Sequence, residues 1–449
     1  MRRLLLAGAL SLVLAGSASA EVVAPGVQDG QLAMTRAGKP VVAYVRGTSL
    51  AIATRIGVNR WRTTRAASVS RGSTVVALEA GAAGTVALVQ SADARRLLLV
   101  RQAGPGWAVT QLGGRFPVGT TFGWPGLALE PRNGLPAVAY TRWSRESHKS
   151  ILLVSRLDRS GRVRTQQITH EGFPKSHVAP PAAPVFTRGA LHVIETYGYE
   201  GAVGTIEWGP RAQRRGWSGQ FLDSGIGDFP VGPLLTAVGP TGTVYAAWSE
   251  ALLGTGEYPV LLAANGRSIE SDMVLTRAVT TSLAASASGV VVGANEWVAA
   301  AQLGLDNGAV TWAGTVASRT TRTELDGWLA GVASRSAGSR DLLLAQPRGL
   351  SWFRASSSTA PRIRLTAAEQ ANGSVQLGGR IRGYTGGRVT IYRERPGSAR
   401  SLAGTVNPSR DGSFTFSDKR PLRPLLYRAV YTQPKTGVPY AALLRTPAT

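Results

Sequence analysis

The chain has 449 residues and no cysteine, which excludes disulfides, thiol nucleophiles and thiolate metal sites. Its formal net charge is +24, and lysine occurs at only five positions, so arginine supplies most of the positive charge. The arginines are scattered without a basic run. This pattern favours general attraction to anionic partners such as envelope polymers and argues against specific nucleic-acid recognition.

The first twenty residues are organised like a signal peptide. Two arginines at positions 2 and 3 form a charged region, Leu4 to Leu14 form an apolar one, and Ala18-Ser19-Ala20 is an A-x-A cleavage site. The apolar run is too short for a membrane span. We therefore expect residues 1–20 to be removed during Sec-type export, leaving a secreted, extracellular or periplasmic protein without a transmembrane segment.

A repeated motif follows, in which a turn-forming glycine precedes a short run of small and β-branched residues. The six copies begin at Gly38, Gly84, Gly134, Gly189, Gly242 and Gly289. The steps between successive glycines are 46, 50, 55, 53 and 47 residues. A step of about 40–50 residues with strand-like content is typical of radially repeated four-stranded sheets, so the repeat predicts an all-β propeller.

Each repeat divides into four predicted strands. The third is a nearly continuous apolar run, such as Leu97–Val100, which fits a strand buried on both faces. The fourth often begins with tryptophan, at Trp61, Trp107, Trp217 and Trp312. We predict that these indoles are buried between sheets rather than stacked on sugars, because a large ring mainly contributes buried area.

A shorter seventh unit lies between residues 328 and 352 and is one strand short. The strand-like segment Glu21–Ala24 is spare and can complete that unit by pairing, which removes exposed sheet edges. Seven blades are therefore predicted, with six as the alternative, and residues 21–353 are assigned to the propeller.

The pattern changes in the C-terminal region. The serine-rich stretch 354–361 is predicted to be a linker. Residues 362–449 contain seven short segments that alternate polar and apolar side chains, and Asp411-Gly412 indicates a tight turn. These features predict a small Ig-like β-sandwich, acting either as a spacer or as a second adhesive unit.

Three short motifs carry a resemblance to a known family. Gly349-Leu-Ser-Trp352 and Gly104-Pro-Gly-Trp107 match a final Gly-x-x-Trp, and Asp306-Asn-Gly308 keeps an Asp-x-Gly. With these degenerate Asp boxes, residues 25–353 resemble the sialidase-like branch of secreted bacterial propellers. Residues 362–449 resemble Ig-like or fibronectin-type accessory domains through two further motifs, Asp411-Gly-Ser-Phe414 and Leu426-Tyr-Arg-Ala429.

Blades three to five carry the longest loops between second and third strands, all on one face. Long loops are uncommon unless they are used, and aromatic side chains beside charged groups suit a sugar or a peptide. The predicted binding site comprises Trp143, Tyr197, Tyr199, Glu200, Trp248, Glu250 and Tyr258. The structural alternative is a set of solvated loops whose aromatic rings pack on one another.

Two functions remain open. The first is an exported, monomeric, non-enzymatic binding or scaffold protein that binds a glycan, a peptide, an extracellular protein or an anionic envelope polymer. The alternative is a degenerate sialidase-like glycoside hydrolase or lyase acting on extracellular glycans, for which Tyr199, Glu200 and Glu250 would have to converge. No motif meets the requirements of a catalytic site, so catalytic residues are unassigned and the binding function is preferred.

No cofactor or metal site is expected. The four histidines are the candidate nitrogen ligands, and their spacing matches no known ligand pattern. They are His148, His170, His177 and His192.

Overall fold

The computed structural model describes residues 20–445, apart from several short segments. The segments outside the description are 115–117, 169–178, 200–201, 211–216, 224–228, 253–258, 265–271, 276–277, 287–288, 301–302, 316–317, 337–338, 357–359, 395–399, 420 and 422–425. The described residues form strands and turns without an α-helix, and all pairs of named strands are antiparallel. The chain is therefore all-β, as predicted.

Sheets 1 and 2 are each built from four consecutive strands paired in chain order. The strands of sheet 1 are Gln31–Met34, Pro40–Arg46, Ser49–Gly57 and Arg60–Ser68. Those of sheet 2 are Thr74–Gly81, Gly84–Gln90, Leu97–Ala103 and Gly106–Leu112. In each sheet the first strand is here called the inner strand.

Sheets 3 and 4 follow the same order, except that the inner strand of sheet 3 is divided in two. The strands of sheet 3 are Thr120–Phe122, Gly126–Leu129, Pro136–Ser144, Ser150–Leu157 and Val163–Ile168. The strands of sheet 4 are Ala182–Thr187, Ala190–Tyr199, Ala202–Pro210 and Trp217–Asp223.

Sheets 5 and 6 repeat the four-strand order. The strands of sheet 5 are Phe229–Val238, Val244–Ala251, Val260–Ala264 and Asp272–Leu275. The strands of sheet 6 are Ala278–Ser286, Gly289–Ala300, Leu303–Thr315 and Ser318–Leu325.

Sheet 7 combines the two ends of this region. Three of its strands are consecutive, and the fourth comes from the start of the described chain. They are Trp328–Ser336, Ser339–Gln346, Gly349–Ser356 and Glu21–Pro25. Glu21 lies opposite Trp352 and Pro25 opposite Gly349, so the N-terminal strand pairs with the last unit as the sequence predicted.

The inner strands contact one another in order from sheet 1 to sheet 7, and the inner strand of sheet 7 contacts that of sheet 1. Separate apolar clusters fill the spaces between neighbouring sheets; the cluster around Leu88 and Tyr140, for example, joins sheets 2 and 3. The sheets therefore form a closed, propeller-like ring whose core is divided among the interfaces.

The glycine of each predicted repeat lies at the turn between the inner and second strands. All six have positive φ values, from 70° at Gly38 to 123° at Gly289, a conformation that glycine adopts without steric cost. At Gly134 a Cβ would also come within 2.9 Å of the backbone nitrogen of Ala83, so close packing of neighbouring turns requires glycine there.

The N-terminal strand is held by side chains as well as by pairing. The Glu21 carboxylate accepts hydrogen bonds from Arg55 Nη2 at 2.6 Å, Trp61 Nε1 at 2.9 Å and the backbone nitrogen of Asn59 at 3.0 Å. Burial opposes its ionisation, but these donors prevail and hold the pKa of Glu21 below its usual value. The contacts tie sheet 7 to sheet 1.

The tryptophan prediction is confirmed in part: Trp61 packs against the apolar cluster between sheets 7 and 1, and Trp107 against the one between sheets 1 and 2, but neither indole is fully buried. Trp61 and Trp107 are half-buried, because the fourth strand is outermost and keeps one side near solvent. The side chains of Trp217 and Trp312 lie outside the described residues. Among the tryptophans whose side chains the structure describes, the most deeply buried indoles are Trp248 and Trp352, on a second and a third strand.

The C-terminal region contributes a three-stranded sheet and a four-stranded sheet, and the four-stranded one continues sheet 6, because Leu325 in the last strand of sheet 6 pairs with Tyr440. The four-stranded sheet contains, in order, Pro439–Arg445, Leu426–Thr432, Val389–Arg393 and Ser401–Val406. The three-stranded sheet contains Arg362–Glu369, Val375–Arg382 and Ser413–Asp418. The strand Gly349–Ser356 of sheet 7 includes the first three residues of the predicted linker.

The C-terminal region packs directly against the ring. One apolar cluster contains Leu344 and Phe353 of sheet 7 together with Leu377 and Tyr431 of the two small sheets. The Asp326 carboxylate that follows sheet 6 is held by the Arg400 guanidinium through both oxygens. A shared core, an ion pair and the pairing of Leu325 with Tyr440 therefore join the two regions.

Candidate functional site

The ring has two ends with different chemistry. The loop end carries the connections from second to third strands, such as residues 145–149 of sheet 3. The turn end carries the turns from inner to second strands, such as those at Gly84 and Gly134. The predicted site belongs to the loop end.

The structure places the describable members of the predicted site on three successive sheets. Trp143 is half-buried on sheet 3, with its ring centroid 6.1 Å from that of His148 in an edge-on arrangement. Tyr197 and Tyr199 belong to a strand of sheet 4, but their side chains lie outside the described residues. Glu200 and Tyr258 lie wholly outside them, so convergence of the predicted set stays a prediction.

Trp248 and Glu250 of sheet 5 form a buried pair. The indole Nε1 donates a 2.7 Å hydrogen bond to Glu250 Oε1, and the two residues are 1% and 0% exposed. Trp248 packs in the apolar cluster between sheets 4 and 5, beside Ile194. The pair thus belongs to the interior of the ring rather than to an open surface.

Glu195 is a second buried carboxyl group at the loop end. It lies on the second strand of sheet 4 and is 1% exposed. Burial raises its pKa to about 8, although a hydrogen bond with Trp208 acts in the opposite direction. Glu195 is therefore largely protonated at neutral pH, which is the state that a general acid requires.

Other polar side chains at the loop end join neighbouring sheets. Thr141 Oγ1 donates to the Pro180 carbonyl oxygen at 2.5 Å. Asn295 makes two such bonds, donating to the Leu329 carbonyl oxygen at 3.0 Å and accepting from the Leu329 nitrogen at 2.7 Å. These residues satisfy buried backbone groups and so have a structural role.

The turn end contains an open groove between sheets 3 and 4, with a volume of about 740 Å³. Its basic residues are Arg156, Arg159 and Arg164, and we call it the arginine groove. Arg156 lies 3.6 Å from Glu130, and Arg164 lies 3.5 Å from Asp158. Arg159 is exposed and has no ion pair among the described residues.

A second, smaller cavity of about 270 Å³ lies beside the arginine groove. It is bounded by the inner strands of sheets 2 to 5, and we call it the axial cavity. Glu130 lines both cavities, and Glu79 lines the axial cavity alone. Glu79 keeps part of its surface open to the cavity, and burial raises its pKa to about 7.

The sequence did not reveal either cavity. Four arginines between residues 156 and 164 were the available signal for the groove, but they span a turn and two strands, so no run appears. Glu79 lies in an apolar strand without a motif around it. Glu79 lines a cavity because strands of neighbouring sheets surround it, and the spacing of residues in the sequence does not show how separate sheets pack.

The described residues contain no group of three or more histidine, aspartate or glutamate side chains arranged to hold a metal ion. In the same part of the chain, no helix has the length and apolarity needed to cross a membrane.

No family model matches the chain, and no curated protein matches it. Among solved structures, it is similar to a prolyl endopeptidase at 10% identity and a TM-score of 0.44, covering 81% of this chain and 55% of that one. It thus spans about half the length of that enzyme.

Two other similar structures are of enzymes named for carbohydrate substrates. An α-L-arabinofuranosidase from Fusarium graminearum shares 9% identity at a TM-score of 0.39, covering 77% of this chain and 98% of that one. A polysaccharide lyase shares 9% identity at a TM-score of 0.40, covering 74% and 90%. At these values no activity is transferred, and neither the sialidase-like nor the Ig-like resemblance is confirmed.

Proposed function

We propose that this chain is an exported, seven-bladed propeller with an Ig-like sandwich, and that it recognises anionic glycans. The closed cyclic order of the sheets and the seven C-terminal strands support the architecture. Recognition is common to both candidate functions, binding protein and glycan-cleaving enzyme.

The arginine groove is the observation that carries the proposal. A volume of about 740 Å³ is large enough for a ligand, and three guanidinium groups border it. Guanidinium forks match the geometry of carboxylates, as in the uronate residues of an acidic polysaccharide. The net charge of +24 adds long-range attraction for such a polymer.

Glycan cleavage is the second candidate function, and it would require Glu195, which is 1% exposed, to become accessible to a substrate. A carboxyl group that remains protonated near neutral pH can protonate a leaving-group oxygen, provided that a second carboxylate lies across the scissile bond. Glu250 on the next sheet is the candidate partner, with Glu200 and Tyr199 as the other predicted members. The loop-end residues thus remain the predicted site for this function.

The test compares oligogalacturonate with a neutral oligosaccharide of equal length by calorimetric titration of the purified chain. Replacing Arg156, Arg159 and Arg164 together by glutamine should weaken oligogalacturonate binding by at least about tenfold, because the groove then keeps the carboxylates of Glu130 and Asp158 without the cations that balance them. The matched control replaces the exposed Arg60, Arg62 and Arg65 of sheet 1, which changes the net charge equally, and should shift the affinity less than about twofold.

Two outcomes would overturn the proposal. One is equal affinity for the neutral oligosaccharide, and the other is an equal loss in both triple variants, which would show that only net charge matters. Release of new reducing ends, abolished in Glu195→Gln, would assign cleavage in addition to recognition. If neither acidic nor neutral glycans release new reducing ends, the chain is assigned binding without cleavage.

A further inference from the structure

We propose that the axial cavity binds a primary ammonium group carried on a compact apolar body, with Glu79 as its carboxylate partner. This inference does not rest on the anionic-glycan proposal, because it concerns a different cavity and a ligand of opposite charge.

The walls of the axial cavity are mainly apolar. Its lining includes Leu129, Val185, Phe186 and Val238, and its volume of about 270 Å³ suits a small organic group. The hydroxyl of Thr236, a polar side chain in the lining, is engaged in a 3.0 Å bond to the Pro184 carbonyl oxygen. Such a cavity favours an apolar body whose orientation is fixed by one polar contact.

Glu79 is the group positioned to make that contact. The structure gives it no hydrogen bond or ion pair among the residues it describes. Of the strands that contact the Glu79 strand, Gln31–Met34, Gly84–Gln90 and Gly126–Leu129 contain no charged residue. The fourth, Pro40–Arg46, contains one, Arg46, whose guanidinium donates to the Pro25 carbonyl oxygen. The two other inner strands that line the axial cavity, Ala182–Thr187 and Phe229–Val238, contain none.

Glu130, the other acidic residue of the cavity, is already engaged. Its Oε2 accepts a 3.0 Å hydrogen bond from Asn133 and lies 3.6 Å from Arg156 Nη2. Its charge is thus directed towards the arginine groove. An incoming cation therefore has one carboxylate to pair with, that of Glu79.

The charge of the ligand decides whether binding is favourable. Burial opposes ionisation of Glu79, and an ammonium group would compensate the ionised form, whereas an alcohol would not and a carboxylate would repel it. Because the pKa of Glu79 is raised to about 7, its ionised fraction increases about tenfold between pH 6 and pH 8. An alkylammonium ion stays protonated throughout this interval.

The experiment titrates the full chain with n-pentylammonium, n-pentanol and pentanoate, followed by ligand-detected NMR. The proposal expects pentylammonium to bind best at pH 8 and about tenfold more weakly at pH 6. Glu79→Gln should weaken its binding at pH 8 by at least about tenfold and remove the pH dependence. The matched control is Glu146→Gln, which replaces an exposed carboxylate at the loop end. It should leave the affinity for pentylammonium and its pH dependence unchanged.

The inference is overturned if pentanol binds as tightly as pentylammonium at pH 8, or if Glu79→Gln binds pentylammonium like the wild type. Either result would define an apolar cavity without charge recognition. The pH dependence is measured on the wild type, so it decides the question even if the variant folds poorly. Oligogalacturonate binding, measured on the same samples, reports separately on the arginine groove.

Discussion

The two ends of the ring use charged residues differently. At the loop end, the carboxyl groups of Glu195 and Glu250 lie between sheets with almost no exposed surface. At the turn end, Glu79 and Arg159 border cavities that a ligand can enter. Charged side chains are therefore packed between sheets at the loop end and border open cavities at the turn end.

This difference shows that a raised pKa does not by itself mark a binding site. Burial raises the pKa of both Glu195 and Glu79, to about 8 and about 7. Of these two, Glu79 lines a cavity, whereas Glu195 is 1% exposed. Stability and binding measurements can separate the two roles, and the largest effect is expected at the loop end.

Replacing Trp248 with alanine should lower the free energy of unfolding by about 3–5 kcal/mol, because it empties a fully buried site between sheets 4 and 5. The variant also loses the 2.7 Å hydrogen bond to Glu250. Urea unfolding provides the measurement. Trp143→Ala, at a half-buried position of the same end, should cost about 1 kcal/mol.

A different pattern would reverse the comparison between the ends. If Trp248→Ala kept its stability but lost affinity for a glycan, the loop end would be the binding surface. Shortening the segment 252–257 to a minimal turn supplies an independent check. That change should abolish binding with an almost unchanged melting temperature if the predicted loop-end site is correct.

Glu195 should make the stability of the protein depend on pH. Its folded pKa of about 8 lies above the usual glutamate value of 4.5, so the folded state holds a proton that the unfolded state releases. Stability is therefore lost as the pH rises from about 4.5 to about 8. Glu195→Gln removes this penalty, and its advantage over the wild type should grow by roughly 3 kcal/mol between pH 5 and pH 8.

Urea unfolding at pH 5 and pH 8 measures this difference. The titration of Glu79 affects both proteins equally, so it does not contribute to the difference between them. Glu146→Gln, at an exposed position, should show no such trend. A wild type whose stability rises over this interval, with no difference from Glu195→Gln, would show that Glu195 is ionised and solvated.

Much of the fold could be predicted from the sequence because the repeat is local. A glycine followed by β-branched residues specifies a turn and a strand, and all six glycines do have positive φ. The closing strand was also predictable, since Glu21–Pro25 had no other partner and the last unit was incomplete. The local repeat and the unpaired sheet edge can both be recognised from the order of residues along the chain.

The environment of single side chains was less predictable. A register shift between Val75 and Ala77 changes the face on which Glu79 lies, so alternation counted from the strand start fails there. Trp248 was expected beside a ligand, but the neighbouring sheet covers it. Which face is covered depends on how separate sheets pack, and the sequence pattern within one strand does not contain that information.

The smallest expected effect is that of Arg159 alone. Arg159→Gln should weaken oligogalacturonate binding about two- to fivefold at low salt, because it removes one exposed charge from the groove edge. The gap from the wild type should narrow as added salt screens the interaction. Arg62→Gln changes the net charge equally on sheet 1 and should leave affinity nearly unchanged, as calorimetric titration at two salt concentrations can show. Equal losses in the two variants would mean that attraction depends on the overall charge, and the contrast between the two ends would then concern stability alone.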